Sequence, residues 1–475
     1  MQERYIAAVD LGTSKTALTV ARVNGFDMQV IFHEETASDG IRHSNVFNPK
    51  KASEPLAELI RKAEDELRIK ILQVVVGLPR YDVRQESAPA RIDRSNPSDC
   101  ITQDEIDDLK NFALDTYPVD NADLQQIYGA VAQSFSTEDL FQETEQNVIG
   151  VTSSRLEGNF KVFVGAKKPV SNIEKVMGDL GLAYTSFFLP EAVAHAVLTS
   201  EEMDNGVALI EIGAGVTSLT IYQNNIMRFY GAIPFGGKSV TTDIKLQCAF
   251  QERLAENIKL AFGACMPNNL LSLGEKTIQI NDEETGAYEQ LPVKFLSEII
   301  DCRMREIITA MLYLIQKSGY ADRLRNGVVL TGGGANLVNC ANLFKEMSGY
   351  NVRLGYPRTR TISTSGCPGL SETDAVASVG MLMLAKDRPY LNCIDEMIAE
   401  PAPKVEVITE PEEEEPVRDT LFAPEETDAE KPKAKPEPKP KPRKPAIKFT
   451  WGTKITDGLK SLFDETIGDS FDKAQ

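Results

Sequence analysis

The first part of the chain has the residue types of a phosphate-binding turn. An apolar run that starts at residue 6 ends at Asp10, and Gly12, Thr13, Ser14 and Lys15 follow before a second apolar run. A glycine lets the backbone approach a phosphate closely, and backbone N–H groups and small hydroxyls can then bind the phosphate oxygens. Asp10 would face a hard cation such as Mg²⁺, and Lys15 would balance phosphate charge. The alternative is an ordinary β-hairpin with an exposed aspartate.

The same pattern returns 201 positions later, from Asp10 to Glu211. Aligned without a gap, Glu211 takes the place of Asp10, and the first glycines of the two turns coincide. Two strand–turn–strand units, each with an acid before its turn, predict an internal duplication whose halves close on one metal–phosphate group. The candidate residues of the second unit are Glu211, Gly213, Ala214, Gly215, Val216 and Thr217.

A third glycine turn follows an apolar strand within residues 327–336. Its candidate binding residues are Gly332, Gly333, Gly334 and Asn336. Each turn alone is weak evidence, but three turns in this order are strong evidence of a nucleotide site. Predicted helices alternate with buried strands between the turns, which indicates an α/β architecture.

Together the three turns resemble the two phosphate motifs and the adenosine motif of the actin, Hsp70 and sugar-kinase superfamily. Residues 231–237, 240–244 and 255–259 are further matches, and their order is similar to that in the FtsA family of bacterial cell-division proteins. The resemblance covers residues 5–386 and returns in about the last 25 residues. It implies an actin-like, ribonuclease H-like duplicated two-lobe ATPase fold. An FtsA-type inserted subdomain, a disordered linker and a C-terminal amphipathic helix would complete the chain.

The resemblance also implies roles for individual residues around ATP and Mg²⁺. Asp10 and Glu211 would be the metal ligands. Glu191, at a predicted helix start, would position the attacking water, and Glu211 would be the second catalytic residue. The alternative for Glu191 is a surface or helix-capping glutamate. Glu256 would lie near the ribose hydroxyls and Lys259 beside the base, unless the two form a solvated ion pair on one helix face.

The domain boundaries follow from the same resemblance. They are 1–84 for the first part of lobe 1 (subdomain 1A), 85–165 for the inserted subdomain 1C, 166–203 for lobe 1 continued, 204–238 for lobe 2 (subdomain 2A), 239–296 for subdomain 2B, 297–356 for subdomain 2A continued, 357–388 for the C-terminal helix of lobe 1, 389–447 for the linker and 448–472 for the amphipathic helix.

Within the insertion, Thr102 and Glu105 have capping-box spacing and predict a helix over 102–114. Residues 148–151 and 160–164 are predicted strands.

Composition excludes several classes of function. The chain has 475 residues and a formal net charge of −19, which argues against a nucleic-acid partner. Its seven cysteines include no CxxC pair, which suits a reducing compartment and neither a disulfide framework nor a zinc site. No apolar run approaches 18 residues, so no transmembrane helix is expected.

The last part of the chain predicts a tether that ends in a surface-seeking helix. Eleven prolines lie between residues 401 and 445, and a segment with eleven acids, 406–430, precedes one with eight bases, 431–448. Beyond them an apolar stripe at helical spacing needs a partner surface, and an anionic membrane is the simplest one. A protein groove is the alternative. The candidate membrane residues are Trp451, Ile455, Leu459, Leu462, Phe463 and Ile467.

By resemblance, the chain is expected to bind ATP, to polymerise, and to tether the tubulin-like FtsZ to the cytoplasmic face of the membrane at the division site. The C-terminal peptide of FtsZ would dock on subdomain 2B, and later division proteins would bind subdomain 1C. A small-molecule kinase or a pilus-assembly relative of the same superfamily is the alternative. Since relatives usually carry aspartate where this chain has Glu211, tight ATP binding with slow or negligible hydrolysis is expected.

Overall fold

The structure is a computed structural model that describes residues 3–281, 288–358, 362–364 and 366–396. The predicted amphipathic helix, with Trp451, Ile455, Leu459, Leu462, Phe463 and Ile467, and the linker beyond residue 396 lie outside the described residues. In the part of the chain that is described, no helix combines the length and apolar character needed to cross a bilayer.

The elements up to residue 205 alternate between strands and helices. They are β1 (Arg4–Leu11), β2 (Lys15–Asn24), β3 (Asp27–Ala37), β4 (Ile41–Arg42), β5 (Asn45–Val46), α1 (Pro49–Leu67), β6 (Ile69–Ile71), β7 (Gln73–Gly77), β8 (Val83–Asp93), α2 (Gln103–Thr116), β9 (Gln125–Ser136), α3 (Glu145–Val148), β10 (Arg155–Ala166), α4 (Lys167–Asp179), β11 (Ala183–Phe187), α5 (Leu189–Val197) and α6 (Ser200–Asn205).

The second half repeats the alternation. Its elements are β12 (Val207–Ile212), β13 (Thr217–Gln223), β14 (Ile226–Ile233), α7 (Gly237–Cys248), α8 (Glu252–Phe262), β15 (Thr277–Asn281), β16 (Tyr288–Pro292), α9 (Val293–Lys317), β17 (Val328–Thr331), α10 (Cys340–Ser348), β18 (Val352–Leu354), α11 (Val376–Lys386) and β19 (Ile394–Glu396). Short 3₁₀ turns connect several of them, including one at Gly333–Asn336.

Two five-stranded sheets contain the predicted duplication. Their strand orders are β11-β7-β1-β2-β3 and β14-β13-β12-β17-β18. The two hairpins have the same register, because Asp10 lies opposite Ala17 and Glu211 lies opposite Ser218. Each hairpin also has a parallel neighbour on its other side, β7 in the first sheet and β17 in the second. The predicted actin-like α/β fold is confirmed.

The predicted insertion forms an antiparallel sheet of its own, in the order β8-β10-β9. Helix α2 covers it and begins at the predicted capping box, where Thr102 accepts from the Glu105 N–H and Glu105 accepts from the Thr102 N–H. The predicted strand at 148–151 is wrong: residues 145–148 form the short helix α3, and a turn at Gly150 follows. With a φ of +87°, Gly150 ends any extended run at this place.

Helices α5 and α11 pack closely against each other in the core of the first sheet. A Cβ added at Gly380 of α11 would lie 2.1 Å from the carbonyl oxygen of Ala192 in α5. Glycine is thus required here for the approach of two helices rather than for its own backbone conformation.

We expect Gly380→Ala to lower the free energy of unfolding by about 1–3 kcal/mol, because the methyl group would push α11 away from α5. Denaturant unfolding followed by circular dichroism measures the change. Gly178→Ala is the matched control, since a Cβ at that helical glycine meets nothing within 4 Å. We expect the control to be neutral or stabilising by up to about 1 kcal/mol. An unchanged stability in Gly380→Ala would contradict the packing described.

Candidate functional site

The three predicted turns meet around one cavity of about 1350 Å³. Turn 1 (residues 12–15) follows β1, turn 2 (213–216) follows β12 and turn 3 (332–336) follows β17. The parallel pairing of β12 and β17 brings turns 2 and 3 to the same edge of their sheet, and the residues of turn 1 line the same cavity. The predicted residues that line the cavity are Asp10, Gly12, Thr13, Ser14, Lys15, Glu211, Gly213, Ala214, Gly215, Val216, Glu256, Lys259, Gly332, Gly333, Gly334 and Asn336.

Two predicted site residues are not among the residues that line this cavity. Thr217 is fully buried in β13, and its hydroxyl donates to the carbonyl oxygen of Phe235 at 2.9 Å. Glu191 lies in the first turn of α5, half-buried, beside Tyr222. Burial and then the charge of Glu191 raise the pKa of Tyr222. The roles predicted for Thr217 and Glu191 in binding and water positioning stay predictions.

Turns 1 and 2 touch each other directly. A Cβ added at Gly215 would lie 2.7 Å from the hydroxyl oxygen of Thr13, so a larger residue at 215 would push the turns apart. Turn 3 is equally tight, because Gly332 has a φ of +83° and its missing Cβ would lie 2.6 Å from the carbonyl oxygen of Ile212. The glycines therefore allow three backbone turns to converge on one space.

A two-residue hairpin tip joins turns 1 and 2, and sequence reasoning missed it. His43 and Ser44 connect β4 to β5 with φ values of +47° and +62°, a conformation that glycine or asparagine usually adopts. The His43 Nδ1 atom donates to the Gly215 carbonyl oxygen at 2.9 Å, and the Ser44 N–H donates to the Thr13 hydroxyl at 3.1 Å. The strained tip thus holds the two turns in one arrangement.

The floor of the cavity carries three buried charged residues, Asp10, Arg80 and Glu211. Arg80, which follows β7, donates from Nη1 to the Glu211 carboxylate. Burial disfavours the charged guanidinium, but the carboxylates of Glu211 and Asp10 outweigh it and raise the pKa of Arg80. Burial also raises the pKa of Asp10, although the charge of Arg80 opposes that change. Arg80 was not identified from the sequence.

Lys15 is positioned by two carboxylates at the mouth of turn 1. Its ammonium group lies 2.6 Å from Glu35 Oε1 and 2.7 Å from Asp374 Oδ2. Burial acts against the charge of Lys15, yet the two hydrogen bonds raise its pKa. Partial burial would raise the pKa of Glu35, but hydrogen bonds from His33 and Lys15 lower it to about 2. Lys15 is therefore held charged beside the turn.

The Glu256–Lys259 pair ties α8 to α7. Lys259 is buried, and its Nζ donates to the Gly237 carbonyl oxygen at 3.1 Å, to the Thr241 hydroxyl at 3.0 Å and to Glu256 at 2.8 Å. The solvated ion pair considered as the alternative does not describe this geometry, since the lysine is engaged by three acceptors inside the structure. Both side chains border the cavity.

Part of the cavity wall is rich in apolar side chains. Apolar side chains from α8, β15 and the segments around them form this wall, and several are unusually exposed for residues of their size, with Leu260 at 73% and Phe262 at 47%. A space that combines charged side chains and backbone N–H groups with apolar side chains suits a ligand with an anionic chain and a flat ring. The residues of this wall are Leu260, Phe262, Leu270, Leu273, Ile278, Leu337 and Val338.

The residues present limit how a metal ion can be held. Within the described ranges, no group of three or more histidine, cysteine, aspartate or glutamate side chains is arranged around a common metal position. Mg²⁺ commonly takes only one or two carboxylates and completes its shell with water and substrate phosphates. The carboxylate of Asp10 at the cavity wall fits such a partial site, whereas that of Glu211 is paired with Arg80.

Comparison with known proteins finds sequence similarity to the same family of cell-division proteins. The family model described as cell division protein FtsA matches residues 208–378. The cell division protein FtsA of Neisseria meningitidis is 29% identical over 361 residues, which are 75% of this chain and 85% of that protein. The FtsA protein of Borreliella burgdorferi is 29% identical over 360 residues, which are 75% of this chain and 86% of that protein. The resemblance expected from the turns is confirmed.

A solved structure described as the PilM–PilN type IV pilus biogenesis complex shares the fold. The superposition covers 80% of this chain and 98% of that chain, with a TM-score of 0.56. Its sequence identity of 14% limits that likeness to the fold.

We expect Glu35→Gln to remove a stabilising contribution that depends on pH. Because the folded-state pKa of Glu35, about 2, lies below its ordinary value of 4.5, the ionised carboxylate stabilises the fold above about pH 4.5. That contribution is lost as the pH falls towards 2. The difference in Tm between wild type and variant should therefore be largest near neutral pH and shrink at pH 3.

The control for this measurement is Glu34→Gln, which removes a neighbouring carboxylate that pairs with Lys62 at the surface. An exposed pair contributes little, so the control should stay close to wild type at every pH. A difference for Glu35→Gln that does not change between neutral pH and pH 3 would disprove the ionic role of Glu35.

Proposed function

We propose that the chain binds ATP in the cavity between its two duplicated sheets. The proposal follows from its similarity to the FtsA cell-division proteins and from its actin-like fold. The observation that carries the proposal is the convergence of three backbone turns on a cavity with a charged floor and an apolar part of its wall. ATP has the matching chemistry, since a phosphate chain is joined through ribose to a flat purine ring.

Each part of the cavity has a role towards this ligand. Backbone N–H groups of turns 1 and 2 would bind the phosphates, and Lys15 would add a fixed positive charge. Mg²⁺, when bound with the nucleotide, would neutralise phosphate charge, and Asp10 is the carboxylate placed to hold it. Turn 3 with Asn336 would lie along the adenosine, opposite Glu256 and Lys259 on the α7–α8 side.

Nucleotide binding with slow turnover is the activity that these residues support. A general base needs a carboxylate within reach of the attacking water. Glu191 lies outside the cavity wall, and Glu211 already accepts a hydrogen bond from Arg80. ATP binding, more than ATP hydrolysis, would therefore set the conformation of the protein.

The function that follows is a division tether. Copies of the chain would assemble into an actin-like filament on the cytoplasmic face of the membrane at the division site. Subdomain 2B (239–296) would bind the C-terminal peptide of the tubulin-like FtsZ, and the inserted subdomain 1C (85–165) would bind later division proteins. Residues 448–472 would hold the filament on anionic lipid through their apolar stripe, aided by the basic residues just before them.

The kinase and pilus alternatives have less support. The curated relatives reported above are division proteins along most of their length, whereas the likeness to the PilM–PilN complex concerns the fold. A pilus-type or kinase function also leaves the apolar stripe at residues 455–467 without a role.

We expect the full chain to bind ATP in isothermal titration calorimetry, and Lys15→Met to weaken binding about tenfold or more. The physical reason is the loss of a charge-assisted hydrogen bond to phosphate. Lys51→Met is the control, because Lys51 is an exposed lysine that pairs with Asp39 outside the cavity. A wild-type chain that binds no adenine nucleotide would contradict the proposed function.

We expect the full chain to co-sediment with anionic vesicles, and a chain that ends at Lys444 to stay in the supernatant. Burial of the apolar stripe in the lipid interface supplies the binding energy, so Leu462→Asp should also abolish sedimentation. Ser461→Asp adds the same charge at the neighbouring polar position and should sediment nearly as well as wild type. Equal sedimentation of the full and shortened chains would refute the anchor.

A further inference from the structure

The ion pair between Arg80 and Glu211 joins the two duplicated halves at the floor of the cavity. Arg80 follows β7 of the first sheet, and Glu211 belongs to β12 of the second. The backbone of Arg80 is held from the same side, because the hydroxyl of Tyr230 in β14 donates to its carbonyl oxygen. The guanidinium is thus placed by both sheets rather than by one flexible loop.

Arg80 also faces the space where the turns converge. Its side chain is 11% exposed and borders the cavity together with Asp10, turn 1 and turn 2. A guanidinium has five N–H donors in a planar fork, and a hydrogen bond from Nη1 to one carboxylate uses one of them. The same fork matches the oxygens of a phosphate group in two-point contacts.

Glu211 is poorly suited to hold a metal ion in this arrangement. A divalent cation on its carboxylate would compete with the guanidinium and would leave a buried arginine next to a second positive charge. Burying an unpaired charge is costly. The Arg80–Glu211 pair is therefore favoured over a metal ion bound to Glu211, unless another anion pairs with Arg80. A phosphate at the cavity floor is such an anion.

We propose that Arg80 is a phosphate-binding residue of this site, and that Glu211 holds and positions Arg80 instead of binding a metal ion. The inference rests on the proposed ATP binding and deepens it. Arg80 pairs with Glu211, and on nucleotide binding its guanidinium is shared with the phosphate chain. Glu211 then competes with the phosphate for Arg80, and it lowers the affinity for ATP while it keeps the arginine in place.

The test compares two variants that differ in the guanidinium alone. Glu211→Gln leaves Arg80 without its carboxylate partner, and the double variant R80Q/E211Q removes the guanidinium as well. ATP binding to full-length wild type and to both variants is measured by isothermal titration calorimetry, once with Mg²⁺ and once with EDTA. Arg84→Gln is the control, since Arg84 bonds to Gln125 of the inserted sheet and does not border the cavity.

We expect Glu211→Gln to bind ATP at least about tenfold more tightly than R80Q/E211Q, with Mg²⁺ and with EDTA. It should also bind more tightly than wild type, because the phosphate no longer competes with Glu211. The control should match wild type. Thermal unfolding of each variant accompanies the titrations, and if Glu211→Gln does not fold, weaker binding by R80Q/E211Q than by wild type is the expected result.

Three other results would overturn the inference. Equal ATP affinity in Glu211→Gln and R80Q/E211Q would show that the guanidinium does not bind phosphate. Weaker binding by Glu211→Gln with Mg²⁺ but not with EDTA would make Glu211 a metal ligand and would leave the proposed ATP binding intact. A wild type that binds no ATP in either condition would remove the proposed function itself, and the role of Arg80 with it.

Discussion

Buried charge at the junction of the two sheets is the constraint on which the rest of the structure depends. Removing one partner from a buried ion pair typically costs about 3–5 kcal/mol, because the other charge is left without compensation. Arg80 follows a strand of the first sheet and Glu211 lies in the second. Any movement that separates the two sheets at this point therefore has a similar cost in free energy. A packed aromatic group, Phe163, Phe188 and Tyr230, lies beside the pair and connects β10, the residue that precedes α5, and β14. The charged floor is therefore rigid because apolar packing fixes its walls.

The inserted sheet contributes to this rigidity. Strand β14 is an edge strand, whose outer backbone groups need partners. Gln133 donates to the Met227 carbonyl oxygen at 2.9 Å, and Lys161 donates to the carbonyl oxygen of Arg228. Burial and then the charge of Arg228 lower the pKa of Lys161 to about 8, so this contact is made at an electrostatic cost. The insertion thus covers the edge of the sheet that carries turn 2, besides offering a surface of its own.

Sequence reasoning identified the parts of the cavity wall that short stretches of sequence encode. Turns 1 and 2 could be predicted because an acid, a glycine and two apolar runs lie close together in the sequence and recur, and turn 3 because consecutive glycines follow an apolar strand. The strand at 148–151 was wrong because a short apolar run carries no period of its own, and the glycine within it adopts a left-handed conformation. His43 and Arg80 could not be found in this way, since their partners lie 172 and 131 positions away.

The duplication nevertheless contained a signal for Arg80. Strand β7 is the parallel neighbour of β1 in the first sheet, and β17 is the parallel neighbour of β12 in the second. The residues after β7 therefore correspond to turn 3, and by this correspondence they also face the cavity. At that place the second half has glycines, which admit a ligand, and the first half has an arginine. The glutamate at 211, which departs from the aspartate that the resemblance leads one to expect, then has a physical reason. Its side chain is longer by one methylene, and it meets the guanidinium across the junction of the two sheets. In the proposed role, the two residues form one unit that fixes a positive charge at the cavity floor.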